Sequence, residues 1–243
     1  LVLCGGGNNG GDGYVIARQA AEAGWSVDLW ALTDPSRLEG DARRAAEAAL
    51  AILTPIDDPQ QALAAADGVV DALLGTGLDR PVTGRLAALI DAVNAAECPV
   101  LSVDVPSGLH AASGRVLGTA VRAAVTATFI GLKQGLFTGD AADHVGEILF
   151  DDLGVSDAVH AGMTPAAWRL PAAALADALG RRPRTAHKGA FGHVRVLGGD
   201  HGMGGAARMA GEAAARSGAG RVSLLTRSAP VGAVLAARPE LML

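Results

Sequence analysis

Leu1-Val-Leu-Cys-Gly-Gly-Gly-Asn-Asn-Gly-Gly-Asp-Gly-Tyr14 is the stretch from which the fold can be read. Leu1 to Cys4 is an apolar run of the kind that ends a buried strand. A run of glycines follows, broken by Asn8, Asn9 and Asp12. Residues 14–24 then read as a helix stopped by glycine. Strand, glycine-rich turn and helix make the first half of a βαβ unit. In such a unit, backbone N–H groups and a helix N-terminus face an anion. The two asparagines and Asp12 add amides and a carboxylate, which a loop that only cradles phosphate does not need. Gly5-x-Gly7-x-x-Gly10 also fits a dinucleotide fingerprint, with Asp28 near the tip of the next strand, although alone this pattern is weak.

Working outward, residues 25–32 read as a second strand and 38–53 as a long Ala-rich helix. A shorter helix spans 59–66, and residues 68–74 form a third strand. Asp71 lies inside that strand's apolar run, and a buried carboxylate needs a partner, a proton or a cation. The glycine-bearing loop 75–81 follows at once, and a helix over 84–96 leads to a fourth strand over 99–105. Asp104 and Ser107 close that strand beside Pro106, which stiffens the turn. Residues 125–130 and 146–150 are further strands, separated by a loop that carries Lys133. The alternation describes an α/β chain, a Rossmann-like three-layer αβα sandwich on a parallel sheet. Ligands bind such sheets at the carboxyl edge. Asn8, Asn9, Asp12, Asp71, Thr76, Asp104 and Ser107 are brought toward one crevice there. Amide, carboxylate and hydroxyl oxygens suit a hard cation rather than zinc.

The chain has 243 residues, 50% apolar and only 3% aromatic, so its core is Ala, Val and Leu. No apolar run can span a membrane and no signal peptide is visible. Cys4 and Cys98 both border buried strands and read as small core residues, which points to a reducing cytoplasm. Residue 1 is Leu within a strand, and the end, Pro239-Glu-Leu-Met-Leu243, has no cap, so the chain reads as a segment of a longer protein.

Charge divides the chain. Residues 1–165 carry 9 Lys/Arg against 21 Asp/Glu, and residues 166–243 carry 11 against 4. This predicts a domain over 1–165, a linker over 166–185 and a second domain over 186–243. The basic part has almost no aromatics for base stacking, so nucleic acid is not the expected partner. It reads as one βαβ unit: a strand over 193–197, a Gly-rich turn, a helix over 206–217 and a strand over 220–226. Such a unit cannot bury its own sheet. His187, His193 and His201 lack metal-site spacing. His110, His144 and His160 read as surface residues.

Four motifs resemble the NAD(P)H-hydrate epimerases: Val2–Gly13, Asp71-Ala-Leu-Leu-Gly-Thr-Gly77, Asp104-Val-Pro-Ser-Gly-Leu109 and Thr128-Phe-Ile-Gly-Leu-Lys-Gln-Gly-Leu-Phe-Thr-Gly139. They come in family order across residues 1 to about 153. Residues 186–220 resemble the start of the ADP-dependent NAD(P)H-hydrate dehydratases, which implies a partial ribokinase-like α/β domain. The resemblance implies a substrate, NADHX or NADPHX, hydrated on the nicotinamide ring. The epimerase interconverts its R and S forms, and the dehydratase, with ADP or ATP, removes water from the S form. By resemblance, Asn8, Asn9, Gly10, Gly11 and Asp12 bind substrate, as do Gly75, Thr76, Gly77, Leu78, Asp79, Arg80 and Pro81. Asp104 is a substrate-binding and catalytic carboxylate, with Lys133 or Asp12 as its partner in proton transfer. Asn9, Asp71 and Ser107 are implied potassium ligands, and a cation would explain Asp71 in an apolar strand. Ala206 corresponds to a substrate position of the dehydratase part. Gly6 stands where the family usually has proline. The later Gly-rich motif of the dehydratase, with its catalytic aspartate, is absent, so dehydratase activity is not expected from this chain.

Two other readings stay open at this level. An NAD-dependent oxidoreductase would use Gly5, Gly7, Gly10 and Asp28. A non-catalytic nucleotide-binding protein would keep the fold without the reaction. Homo-oligomerisation is compatible with every one of these readings.

Overall fold

The structure, a computed structural model, describes residues 1–243 except for the side chains of Asp157, His160, Asp177, Ala178, Ser228, Ala229, Pro230, Ala233 and Leu235. The surface reading of His160 therefore lies outside the described residues. The chain forms two compact units, Leu1–Trp168 and Arg169–Leu243.

The first unit is built on six parallel strands: β1 (Val2–Cys4), β2 (Leu29–Ala31), β3 (Val69–Ala72), β4 (Val100–Val103), β5 (Val125–Phe129) and β6 (Glu147–Asp151). Their order is β2-β1-β3-β4-β5-β6. The chain leaves β1 in one direction to reach β2 and continues from β3 in the other. The order therefore reverses between β1 and β3, and at their carboxyl ends the connections diverge to leave a crevice. Leu3 pairs with Asp71, and Asp71 with Ser102.

Alternation along β1 assigns the layers. Val2 and Cys4 pack with Tyr14 and Ala17 of helix α1 (Asn8–Glu22) and with Ala46 and Ala49 of α2 (Gly40–Leu50). Leu3 lies in the other cluster, with Leu63 of α3 (Pro59–Leu63) and Leu89, Ile90 and Val93 of α4 (Gly84–Ala95). Leu86, Leu89, Ile90 and Val93 recur at helical spacing, which is what turns α4 onto the sheet. Each fully buried aliphatic side chain there contributes roughly 1.5–3 kcal/mol. A short helix, α5 (Asp157–Ala161), follows β6. No described helix is long and apolar enough to cross a membrane. Both cysteines are free, and burial pushes the Cys4 thiol well above its ordinary range.

The structure departs from the sequence reading in three places. Helix α1 begins at Asn8, not Tyr14, so Gly10, Gly11 and Asp12 are helical rather than part of a loop. Glycine normally disfavours a helix, but here contact decides. A Cβ on Gly10 would lie 2.0 Å from the Gly5 carbonyl oxygen, so only glycine lets this turn sit on the strand end. Second, β2 is shorter than expected and Trp25 lies before it, 74% exposed. Third, the second unit holds more than one βαβ unit.

That second unit has α6 (Ala172–Ala178), β7 (His193–Leu197), α7 (Gly204–Arg216) and β8 (Arg221–Leu225), with β7 and β8 parallel. An additional helix, α8 (Ser228–Ala237), follows. Val234 of α8 and Leu241 beyond it pack on Val222 and Leu224. The segment 228–237 is apolar almost throughout, so it has no polar face from which periodicity could be read. Leu197 and Leu225 remain largely exposed, in keeping with a sheet that its own helices do not cover.

Candidate functional site

Two polar clusters stand at the carboxyl edge of the first unit's sheet. The first is centred on Asp71 in β3, whose side chain is fully buried. Four donors meet its carboxylate. Ser102 Oγ donates to Oδ2 at 2.8 Å and the Ser107 backbone N–H donates to Oδ2 at 2.9 Å. Ser107 Oγ donates to Oδ1 at 2.5 Å, and the Leu73 N–H reaches Oδ1 at 3.3 Å. Ser107 Oγ in turn accepts from the Leu74 N–H at 2.8 Å. Burial pushes the Asp71 carboxyl up, and the hydrogen bonds from Ser107, Ser102 and Leu73 oppose that shift without cancelling it. Two serines and two backbone amides thus offset part of the cost of burying Asp71.

Asn9 is the contrasting case. It lies in the first turn of α1, at the end of β1 beside β3, packed against Gly75. A Cβ on Gly75 would be 3.1 Å from the Asn9 Cβ. Among the described residues, neither the buried amide oxygen nor the buried amide nitrogen of Asn9 has a hydrogen-bond partner. An unpaired buried polar group costs about 1–3 kcal/mol. The Asn9 amide oxygen, the Asp71 carboxylate and the Ser107 hydroxyl would, if they met one ion, offer it oxygen donors alone and one negative charge. That set fits a hard monovalent cation. Among the described residues no group of three or more His, Cys, Asp and Glu could hold a metal. His187 and His193 are engaged locally, with Gly189 and Ser223.

The second cluster joins β4 to β5. Asp104 ends β4 at φ 67°, a left-handed conformation rare for a residue with a Cβ. Its Oδ1 accepts from Thr128 Oγ1 at 3.1 Å and from the Phe129 N–H at 3.4 Å. Lys133 forms an ion pair with the same oxygen. Asp12, on the second turn of α1, is close enough to feel Asp104. Its carboxyl is pushed above the usual carboxylate range, first by burial and then by the Asp104 charge.

The remaining expected positions divide by exposure. Asn8, Thr76, Gly77, Asp79, Arg80 and Pro81 are exposed, and Gly75 and Leu78 half-buried. Leu78 leans on the core below the loop. The far end of the loop is held by the Val82 N–H on Leu117 O, 2.9 Å. Gly10 and Gly11 are buried inside the helix, where their part is close packing. Ala206 is exposed in the first turn of α7. Asp28 corrects the dinucleotide reading: it precedes β2, so it stands at the amino edge, away from the crevice. Asp34, beyond the carboxyl end of β2, is occupied in capping a short turn through the Ser36 N–H. Ser102 and Thr128 are site residues that the sequence reading missed. Both are fully buried hydroxyls in strands of the sheet, as is Thr126, and a hydroxyl within such a run is the signal that could have found them.

A doubly wound parallel sheet with polar clusters along its carboxyl edge defines a Rossmann-like α/β protein, a class whose ligand sites lie at that edge. Residues 1–135 match the family model described as YjeF-related protein N-terminus, and the chain belongs to that family. Residues 194–243 match a second model, described as NAD(P)H-hydrate dehydratase. Among curated proteins, the chain is 47% identical over 242 residues to the bifunctional NAD(P)H-hydrate repair enzyme Nnr of Coxiella burnetii, covering 99% of this chain and 50% of that protein. It is 46% identical over 247 residues to the enzyme of the same name from Escherichia coli, covering 100% of this chain and 47% of that one. The Leishmania braziliensis bifunctional NAD(P)H-hydrate repair enzyme is 41% identical over 251 residues, with 45% of it covered. The chain thus spans about half the length of the curated relatives it matches. In fold it is similar to the crystal structure of yeast ynu0, YNL200c, with TM-score 0.51 and 21% identity, covering 61% of this chain and 63% of that one.

Proposed function

We propose that the first unit epimerises NADHX or NADPHX at the hydrated ring carbon. The observation that carries this reading is the pairing of an unsatisfied, buried Asn9 amide with an oriented Asp104 carboxylate at one sheet edge. The repair-enzyme names of the relatives supply the substrate. Loop 75–81, with Arg80, and the exposed first turns of α1, with Asn8 and Asp12, are the surfaces for the dinucleotide. Helix N-terminal N–H groups and Arg80 suit its pyrophosphate.

Asn9, Asp71 and Ser107 would hold a potassium ion. When bound, it would supply a fixed positive charge beside a pyrophosphate-bearing ligand in a unit whose residues 1–165 are net negative. Epimerisation needs the C–O bond to break and reform, or the ring to open and close. Either route needs a proton acceptor and a donor next to the carbon. Asp104 is the acceptor. Asp12, whose carboxyl holds its proton to higher pH than an ordinary aspartate, is the donor.

Residues 186–243 are read as the start of a dehydratase for which ADP or ATP would be the nucleotide, with Ala206 at its substrate side. The test is conversion of R-NADPHX to S-NADPHX by the purified chain, in potassium and then in sodium. Conversion that falls in sodium supports the reaction and the cation site together. No conversion by folded protein overturns the epimerase reading.

A further inference from the structure

Among the described residues, every donor to the Asp104 side chain converges on one oxygen. Thr128 Oγ1, the Phe129 N–H and the Lys133 ammonium all reach Oδ1, and Oδ2 receives none of them. Lys133 is fully committed in turn. Besides Asp104, its Nζ donates to Thr128 Oγ1 at 3.1 Å and to the Phe129 carbonyl at 2.9 Å. An ammonium has three protons, and here each has an acceptor.

The backbone is bent to build this arrangement. The Val105 N–H donates to Val103 O at 2.9 Å, and the Gly131 N–H to Phe129 O at 2.7 Å. These bonds close three-residue turns about Asp104, φ 67°, and Ile130, φ 65°. Two adjacent strands thus end in the same uncommon turn with a Cβ at its centre. Backbone strain of this kind persists only where the surroundings over-determine it. The first turn aims Asp104, and the second presents the Phe129 carbonyl to Lys133.

We propose that Lys133 is a positioning residue that, with Thr128, commits Asp104 Oδ1 and leaves Oδ2 as the atom that exchanges a proton with the substrate. The inference rests on the epimerase reading of Asp104. In the ring-opening route, the proton of the substrate hydroxyl passes to Oδ2. The O–H electron pair forms the carbonyl, and the ring C–N bond breaks as its pair takes the proton held by Asp12. Closure on the opposite face reverses each transfer, so the carboxylate is restored and nothing is consumed. Lys133 does not carry the proton, because releasing one would break the contacts that hold Asp104.

The test compares wild type, Asp104→Asn, Lys133→Met, Lys133→Arg and Thr128→Val in the whole chain. It measures kcat and KM for R- to S-NADPHX and the melting temperature of each. A misaimed reacting group costs about 10²-fold in rate. Lys133→Met is therefore expected to lose about 10²-fold in kcat, with KM changed by less than about threefold. Lys133→Arg keeps the charge and donors but cannot release a proton, and it should retain kcat at least tenfold above Lys133→Met. Thr128→Val, which leaves Lys133 in place, should lower kcat and not raise KM; it carries the test if Lys133→Met does not fold. Wild-type kcat in Lys133→Met overturns the proposal. So does a folded Lys133→Arg as slow as Lys133→Met, because the lysine would then be the proton carrier. An active wild type with an unimpaired Lys133→Met removes only the positioning role. An inactive wild type removes the epimerase reading and this inference with it.

Discussion

Ser107 holds Asp71 twice, through its backbone N–H to Oδ2 at 2.9 Å and through its hydroxyl to Oδ1 at 2.5 Å. One residue of the loop after β4 thereby grips both oxygens of a fully buried carboxylate in β3. Ser107→Ala removes the hydroxyl and leaves Oδ1 with only the long bond from Leu73. A buried acceptor left under-satisfied costs about 2 kcal/mol. For a unit of this size that is a fall of about 4–8 °C in Tm. Thermal denaturation followed by circular dichroism in sodium buffer checks it, and an unchanged Tm would show that the grip contributes nothing.

Asn9 should behave in the opposite way. In sodium, replacing its unpartnered amide in Asn9→Ala should be neutral or stabilising by about 1 kcal/mol, because no hydrogen bond is lost. In potassium, wild type should gain stability by mass action, about 2.7 kcal/mol at a hundredfold excess over Kd, and Asn9→Ala should not. Paired melts in potassium and sodium chloride at equal ionic strength separate the two terms. Equal potassium stabilisation of both proteins would remove Asn9 from the cation site.

The Asp12 carboxyl is raised by burial first and by the Asp104 charge second. A neighbouring negative charge disfavours ionisation, so Asp104→Asn should let the Asp12 pKa fall. It should stay above the ordinary aspartate value, because burial, the larger cause, remains. Carboxyl carbon NMR titration of Asp12 in the two proteins reads the shift directly. The raised pKa also sets the sign for catalysis: a proton donor of this kind is lost as pH rises through its folded pKa, so kcat should decline on that side.

Ile130 occupies a left-handed conformation with a branched Cβ, at a cost of about 1–2 kcal/mol. Asparagine tolerates that region, and Ile130 is 46% exposed, so little burial is at stake. Ile130→Asn should therefore stabilise the first unit by about 1 kcal/mol. A higher denaturant midpoint at constant m-value would report it. A lower midpoint would show that the turn is held by contacts of the isoleucine itself.

The legible part of this protein lay in periodicity and in breaks of periodicity. All six strands of the large sheet stand within the runs that the sequence marked as strands, most of them because a buried parallel strand must be largely apolar, whereas β6 is an exposed edge strand. Asp71 was conspicuous for the same reason, as a carboxylate within such a run. The first turn of α1 was harder, since glycine is read as a breaker and no local rule shows that a Cβ on Gly10 would collide with the Gly5 carbonyl oxygen. The segment 228–237 gave no helical signal because its residues are apolar all round. Asp28 was assigned to the wrong edge because a strand boundary moved by a few residues reverses which end of the sheet a residue occupies.

By itself the sequence determined an α/β chain with strands in order, polar loops at their ends, and the residue types able to bind a cation and move a proton. The tertiary structure alone decided which atoms meet. Ser107 reaches Asp71 across 36 positions and Lys133 reaches Asp104 across 29, joined only because β3, β4 and β5 lie side by side in register. Hydrogen bonds act within about 3 Å, whereas composition and spacing specify elements several ångströms wide. The choice of Oδ1 over Oδ2, and of a satisfied Asp71 beside an unsatisfied Asn9, is therefore a property of strand pairing and not of any local stretch.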